Sequence, residues 1–202
     1  KLLNFLYSPS NDEIYTPLSL VMKMLDKLPK EMWNNPNLKW CDPCCKSGIF
    51  LSEIIIRLMD GLKEWEIDET KRYNHIIDNM IYGYCSNKIR LKLINNILCS
   101  DKNNVSHNNI KNKIDSKSKF DVIVGNPQFT ESSASTGGIG KRNTIWEKIC
   151  TTILNDYLKD GGVLLVNVLP KWRKPYSDMW KTFIEDNTLI YSKFHPCNSV
   201  FK

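Results

Sequence analysis

The sequence lacks any apolar run of the roughly 18 residues that a membrane-spanning helix needs. It also lacks a signal-peptide pattern, in which a charged start and an apolar centre precede a small-residue cleavage site. The first residue is Lys1 rather than Met, which favours an excised domain. These features predict a protein without membrane contact, located in the cytoplasm, or a nuclear or viral one in an infected host.

The paired ligands of a zinc finger are missing as well. Cys41 and Cys44 form a CxxC pair, but His195 and Cys197 stand alone far downstream, not at zinc-finger spacing. The seven cysteines are an odd number and most lie in apolar surroundings, which argues against a secreted disulfide framework. We therefore expect buried neutral thiols and no metal site.

The chain has no internal repeat and no second hydrophobic core. Its 202 residues, 42% hydrophobic and 25% charged, are typical of one globular domain. Strand-like and helical apolar patterns alternate, which predicts an α/β fold with a doubly wound, mostly parallel sheet. The predicted strands are 38–42, 80–85, 120–124, 163–168 and 189–194, and the predicted helices are 16–28, 50–62, 70–80, 87–98, 145–158 and 176–185. Residues 102–119 and 132–140 are predicted to be loops.

Positive charge exceeds negative charge, with 28 Lys and Arg against 22 Asp and Glu and a net charge of +6. This balance suits a polyanionic partner without requiring one. Two basic clusters are candidates for holding nucleic-acid phosphates, with the tryptophan as wedge or packing residue, and the alternative is that they form a solvated face. The clusters consist of Lys141 and Arg142, and of Lys171, Trp172, Arg173 and Lys174.

Polar or small residues follow several of the predicted strands. In parallel sheets, ligands bind beyond the carboxyl ends of the strands, so segments 42–48, 85–87, 100–101 and 126–129 should converge on one rim. Segment 42–48 also opens a helix, whose N-terminus favours a carboxylate or phosphate. The sequence therefore predicts a ligand site at this rim.

The turn Asn126-Pro127-Gln128-Phe129 has a more specific composition. Asn126 supplies a carbonyl acceptor, and Pro127 fixes the turn while its own carbonyl stays free. Two acceptors held together can bind both hydrogens of one amino group, and Phe129 offers a flat face to a planar ring. The alternative is an ordinary Asn-Pro turn with a core phenylalanine.

Together these motifs resemble those of amino-group DNA methyltransferases that use S-adenosyl-L-methionine, above all the adenine-specific enzymes of restriction–modification systems. The family's catalytic motif is usually Asn-Pro-Pro-Tyr or Asn-Pro-Pro-Phe, which residues 126–129 match. Its cofactor loop, Asp-Pro-x-x-Gly-x-Gly-x-Phe, is matched within residues 42–50. A Thr-Pro segment precedes that loop, as in the gamma order of motifs.

The resemblance implies a Rossmann-like class I methyltransferase fold over residues 1–202, with an N-terminal helical segment (1–37) and a core (38–202). It implies methyl transfer to the N6 amino group of an adenine flipped out of DNA. The implied catalytic residues are Asn126, Pro127 and Phe129. The implied cofactor-binding residues are Tyr15, Thr16, Pro17, Asp42, Pro43, Ser47, Gly48, Phe50, Cys85 and Asp101.

Three positions depart from the family pattern. Lys46 replaces the first loop glycine, Cys85 replaces the acid that binds the ribose hydroxyls, and Gln128 replaces the second proline. A catalytically degenerate module that binds DNA or packs against another subunit is therefore one alternative, and a methyltransferase acting on RNA or protein is another. Enzymes of this family normally read their target with a separate recognition domain after the catalytic one, and the sequence stops near the last predicted strand. We therefore expect recognition to lie in a missing segment or in a separate specificity domain or subunit, or the protein not to be sequence-specific.

Overall fold

The computed structural model describes residues 16–99, 103–107, 119–127 and 145–195. Over these ranges, no helix is long and apolar enough to cross a membrane. The predicted loop 132–140 lies outside the described residues.

Five parallel strands form one sheet with the order β3-β2-β1-β4-β5. The strands are β1 (Trp40–Asp42), β2 (Ile81–Cys85), β3 (Asn104–His107), β4 (Phe120–Gly125) and β5 (Leu158–Val166). Because every described pairing is parallel, the prediction of a mostly parallel α/β sheet is confirmed. The strand order reverses between β1 and β4, which is where doubly wound sheets open a crevice for ligands.

Helices cover both faces of the sheet. They are α1 (Leu18–Leu25), α2 (Ile49–Gly61), α3 (Glu69–His75), α4 (Lys88–Leu98), α5 (Trp146–Thr152) and the short α6 (Asp178–Trp180). Wider π-type turns continue three of them over Ile76–Met80, Ile153–Tyr157 and Lys181–Glu185, and 3₁₀ turns span Lys30–Asn34 and Pro170–Arg173. The predicted helices thus all exist, and all but α2 have shorter α-helical cores than predicted.

Successive strand residues point to opposite faces, and the central strands show this directly. Trp40 and Val122 belong to the core formed with α1, α2 and α4. Their neighbours Cys41 and Ile123 belong to the core formed with α5. Both faces of β1 and β4 are therefore buried, which explains why these strands read as continuous apolar runs in the sequence.

Arg57 of α2 forms the polar contacts between α1 and α2. The Arg57 guanidinium lies 2.8 Å from an Asp26 carboxylate oxygen and 2.9 Å from a Glu53 carboxylate oxygen, and it donates to the Met22 carbonyl oxygen at 3.2 Å. It also lies 5.4 Å from the centre of the Trp33 ring. At the other end of α1, the Thr16 hydroxyl accepts a hydrogen bond from Asn126 Nδ2, which holds the segment before the helix at the end of β4.

Two predictions about strands are wrong. Within the predicted loop 102–119, residues 104–107 form β3, because their backbone pairs with β2 over four positions although only Val105 is buried. Residues 189–194 do not form a strand. Two aromatic rings of that segment instead contact cations, Tyr191 under Lys27 and Phe194 under Arg173.

Details of three helical segments also differ from the sequence pattern. In α4, the helical spacing of Ile89, Leu93, Ile94 and Ile97 predicts that all four face inward, but only Ile94 of these is buried, while Ile89 is 73% exposed. In α1, Leu18 and Met22 are half exposed, and Val21 and Leu25 carry the contact with the core. The pair Gly161-Gly162 is typical of a helix end and predicts a stop after the helix 145–158, but it lies inside β5, where Gly161 has a φ of +75°.

Candidate active site

A cleft opens at the carboxyl ends of β1 and β4, where the strand order reverses. The empty space between its walls is about 250 Å³, a figure that includes open solvent. Six predicted site residues line it: Thr16, Asp42, Ser47, Gly48, Phe50 and Asn126. The sequence analysis did not select four further lining residues as site residues: Cys44, Cys45, Lys46 and Ile49.

Backbone hydrogen bonds, both to β2 and within the loop, fix the conformation of the loop from Asp42 to Gly48. Cys45 N donates to the Tyr84 carbonyl oxygen at 3.1 Å, and Gly48 N donates to the Cys45 carbonyl oxygen at 2.6 Å. Gly48 adopts a left-handed conformation with a φ of +74°, and a Cβ there would lie 3.2 Å from an Ile94 side-chain carbon. The glycine therefore lets α2 start at the floor of the cleft.

Asp42 is a buried carboxylate, only 2% exposed, at the end of β1. Its Oδ1 accepts a hydrogen bond from Cys44 N at 3.0 Å. Burial raises its pKa to about 7, although the Cys44 hydrogen bond and the positive charge of Lys46 act in the opposite direction. The loop thus keeps an acid that ionises near neutral pH at the wall of the cleft.

The end of β4 lies very close to Asp42. A Cβ added to Gly125 would be 3.0 Å from Asp42 Oδ1, a separation that real Cβ atoms seldom show. The absence of a side chain at Gly125 therefore allows the Asn126 turn and the Asp42 carboxylate to border the same cleft.

Asn126 is the central polar residue of the cleft and is 4% exposed. Its Nδ2 donates to Thr16 Oγ1 at 3.0 Å, and its Oδ1 accepts from Asn167 Nδ2 at 3.4 Å. Asn167 directly follows β5, and the sequence analysis did not select it. The sequence did contain an indication that Asn167 is a site residue, because it is the one polar side chain in the apolar run Val163-Leu-Leu-Val-Asn-Val168.

Cys85 lies outside the cleft lining, although the resemblance implies a cofactor contact there. It is buried, and its thiol donates to the Asn87 carbonyl oxygen at 3.4 Å. A hydrogen bond with Cys85, together with burial, raises the pKa of Cys45 well above its ordinary value. The two thiols are therefore neutral and packed against each other.

For the cofactor that the resemblance implies, replacing Cys85 with Ala is consequently expected to change the affinity of its demethylated product, S-adenosylhomocysteine, less than threefold. The reason is that the side chain faces the protein interior rather than the cleft. Isothermal titration calorimetry on both proteins measures the effect. A tenfold loss of affinity would mean that Cys85 contacts the ligand, as the resemblance implies.

The second basic cluster lies in the 3₁₀ turn Pro170–Arg173, outside the cleft lining. Trp172 is a buried packing residue, which contacts Phe183 edge-on and stacks on Phe194. The Arg173 guanidinium lies 4.3 Å from the centre of the Phe194 ring. Lys171 and Lys174 are exposed and border this small core.

Five predicted site residues lie outside the described residues: Tyr15, Asp101, Phe129, Lys141 and Arg142. Pro17, Pro43 and Pro127 flank the cleft in sequence without lining it. Within the described ranges, no group of three or more His, Cys, Asp or Glu side chains is arranged to hold a metal ion.

The chain is similar to known proteins in both sequence and structure. A model of the family described as N-6 DNA Methylase matches residues 7–157 of the 202. A protein of Mycoplasma pneumoniae described as an uncharacterized adenine-specific methylase is 41% identical over 85 residues, which are 41% of this chain and 20% of that protein. The chain thus spans a fifth of the length of this relative.

Two solved structures share the fold. The M protein of the type I restriction enzyme EcoKI matches with a TM-score of 0.54 and 16% identity, covering 78% of this chain and 34% of that one. The second structure comes from a type I restriction–modification system and is described as showing the structural basis of complex assembly and conformational transition. It matches with a TM-score of 0.55 and 21% identity. That match covers 82% of this chain and 34% of the other.

Proposed function

This chain belongs to the N-6 DNA methylase family, and on that premise we propose that it transfers a methyl group from S-adenosyl-L-methionine to the N6 amino group of a flipped-out adenine in DNA. The observation that carries the proposal is the shared cleft. The buried carboxylate of Asp42 and the amide of Asn126 border one space at the point where the strand order reverses.

The residues of the cleft fit the cofactor. Asp42 is a nearly buried acid, and a cationic ligand would offset the cost of its ionisation. Gly48 borders the cleft at the start of α2, while Thr16, Ser47 and Phe50 supply polar and apolar walls. S-adenosyl-L-methionine carries a sulfonium and an ammonium group, and its sulfonium makes the attached methyl group electrophilic. In this proposal Tyr15, Pro17, Pro43 and Asp101 complete the cofactor site.

At the other side of the cleft, the Asn126-Pro127 turn holds the target amino group. Asn126 Oδ1 and the Pro127 carbonyl oxygen accept its two hydrogens, which favours a tetrahedral nitrogen with its lone pair available for attack. Orientation and these two acceptors supply most of the rate, so no strong base is required. Phe129 stacks on the flipped base and offsets part of the few kcal/mol that extrusion costs.

DNA is the proposed partner, together with a separate specificity domain or subunit. Exposed lysines at 171 and 174 and the basic pair Lys141 and Arg142 are proposed to hold phosphates. The fold match to type I restriction–modification proteins supports a multi-subunit setting. The proposed location is the cytoplasm, or that of a nuclear or viral protein in an infected host.

The test is product formation by the full-length protein. Incubation with S-adenosyl-L-methionine and AT-rich DNA should yield N6-methyladenine that mass spectrometry detects. Asn126→Ala should lower the rate about 100- to 1000-fold, the usual effect of removing one preorganised polar group at a reacting centre. No product from the wild-type protein, alongside an active control methyltransferase, would contradict the proposal.

A second candidate is a methyltransferase-fold module that binds DNA or another subunit without catalysis. The specific observations in its favour are the Lys46 side chain at the cleft and the inward-facing Cys85. Calorimetry separates the two candidates. Cofactor binding at micromolar concentration supports the enzyme, whereas no heat at millimolar concentration supports the module.

A further inference from the structure

The side chain of Asn126 is held at both ends by residues from separate parts of the chain. Its Nδ2 donates to Thr16 Oγ1 at 3.0 Å, just ahead of α1. Its Oδ1 accepts from Asn167 Nδ2 at 3.4 Å, just after β5. Thr16 is 7% exposed and Asn126 is 4% exposed, so water has little access to compete for these bonds.

The position of Asn167 is set by the sheet rather than by a loop. Its backbone N donates to the Gly125 carbonyl oxygen at 3.1 Å, which extends the β4–β5 ladder by one step. Gly125 is the residue before Asn126. The two asparagines therefore stand side by side at the carboxyl ends of neighbouring strands, where the backbone is well fixed.

Orientation matters because an asparagine amide has chemically different ends. The oxygen accepts hydrogen bonds, whereas the nitrogen donates two. An Asn126 amide turned by 180° would present its own NH₂ group to the NH₂ group of the target, and the two would repel. The Thr16 hydroxyl accepts or donates and so tolerates either orientation, whereas the Asn167 Nδ2 only donates.

We propose that Asn167 is a positioning residue for methyl transfer, which holds the Asn126 carbonyl oxygen in the orientation that accepts a hydrogen from the target amino group. This inference rests on the proposed function. The oxygen has two lone pairs, so one receives the Asn167 donor and the second remains for the substrate. At 3.4 Å the bond is long, and its effect is to orient the amide rather than to stabilise the fold.

Asn167→Asp provides the sharpest test, because the side chain keeps its shape but accepts hydrogen bonds only. It should reverse the Asn126 amide, with Nδ2 facing the new carboxylate. The single-turnover rate of methylation should fall about 10- to 100-fold, while the affinity for S-adenosylhomocysteine changes less than threefold. Asn187→Asp is the matched control, since the Asn187 amide also donates one hydrogen bond, to the Thr182 carbonyl oxygen on the exposed surface.

A second measurement does not depend on activity. In protein labelled with ¹⁵N-asparagine, the side-chain resonance of Asn126 should move in Asn167→Asp and stay in place in Asn187→Asp. If Asn167→Asp does not fold, Asn167→Ala deletes the donor without adding charge and carries the same expected rate loss.

A methylation rate within twofold of wild type for a folded Asn167→Asp protein would overturn the inference, as would an unmoved Asn126 resonance. Absence of product from the wild-type protein would instead contradict the proposed function. In that case a moved resonance supports the orienting role of Asn167, and an unmoved one overturns it.

Discussion

Replacing Asp42 with Asn is expected to make the protein more stable at pH 8 and, at the same time, weaken its binding of the cofactor. Asp42 is buried, so its charged form loses hydration that the Cys44 N–H bond and the charge of Lys46 replace only in part. Asparagine has the same shape and keeps the oxygen that accepts from Cys44 N. The substitution therefore removes the charge without removing that hydrogen bond.

The direction of the pH dependence follows from the raised pKa. The folded-state pKa of Asp42 is about 7, above the ordinary value of 3.8. Between these values the folded protein keeps a proton that the unfolded chain has lost, so the free energy of unfolding falls as the pH rises from about 4 to about 7. Above pH 7 the ionised carboxylate lowers stability by about 4 kcal/mol, at about 1.4 kcal/mol for each pKa unit.

The Asp42→Asn variant avoids this cost, so its melting temperature at pH 8 should exceed that of wild type by on the order of 10 °C. Cofactor affinity should fall about 10- to 150-fold, because a charged hydrogen bond contributes about 1.5–3 kcal/mol. Thermal melts from pH 4 to pH 8 and calorimetry measure the two effects.

Asp60→Asn is the control, since Asp60 is exposed and pairs with Lys63 on the surface. A variant less stable than wild type at pH 8 would mean that the Asp42 carboxylate has a strong partner in the folded protein.

A loss of turnover with little loss of stability is expected when Phe129 is replaced by Ala. The prediction comes from the sequence, in which the ring follows the Asn126-Pro127 turn and should stack on the extruded base. Stacking contributes about 1–3 kcal/mol per base, so turnover should fall about 5- to 150-fold. The melting temperature should change by no more than about 2 °C, because the proposed role places the ring against the substrate rather than in the core.

Phe120→Ala is the matched control for this experiment. Phe120 is fully buried at the start of β4, away from the cleft, and its truncation should cost about 3–5 kcal/mol of stability. Methylation kinetics and thermal melts on both variants separate the two roles. A drop in melting temperature for Phe129→Ala as large as that for Phe120→Ala would identify Phe129 as a core residue and contradict stacking on the base.

Asp42 illustrates a conflict between stability and function. A buried acid that ionises near neutral pH weakens the folded state, yet an acid in a cleft is suited to a cationic ligand. The Asn126 amide is the opposite case, because Thr16 and Asn167 satisfy both of its ends. The proposed site therefore combines a carboxylate, Asp42, whose ionisation destabilises the fold, with an amide, Asn126, that is hydrogen-bonded at both ends.

Much of the fold was predictable because its signals are local. Strands buried on both faces produce apolar runs such as residues 120–124, and helices produce a different period, so their alternation predicted the parallel sheet. The prediction of β3 failed because its four residues are mostly polar and are held by backbone pairing with β2. The predicted inward face of α4 was too wide, because four of its apolar residues recur at helical spacing, whereas only Ile94 and Leu98 of the helix are buried.

The sequence by itself determined the fold class and the loops that follow the strands, since both depend on neighbouring residues. Only the tertiary structure decided that β1 lies beside β4, which brings Asp42 and Asn126 to one cleft. It also decided that Cys85 faces the interior and that Asn167 contacts Asn126. The physical reason is that strand order and side-chain direction depend on pairing between distant segments, where a shift of one residue reverses the face that a side chain occupies.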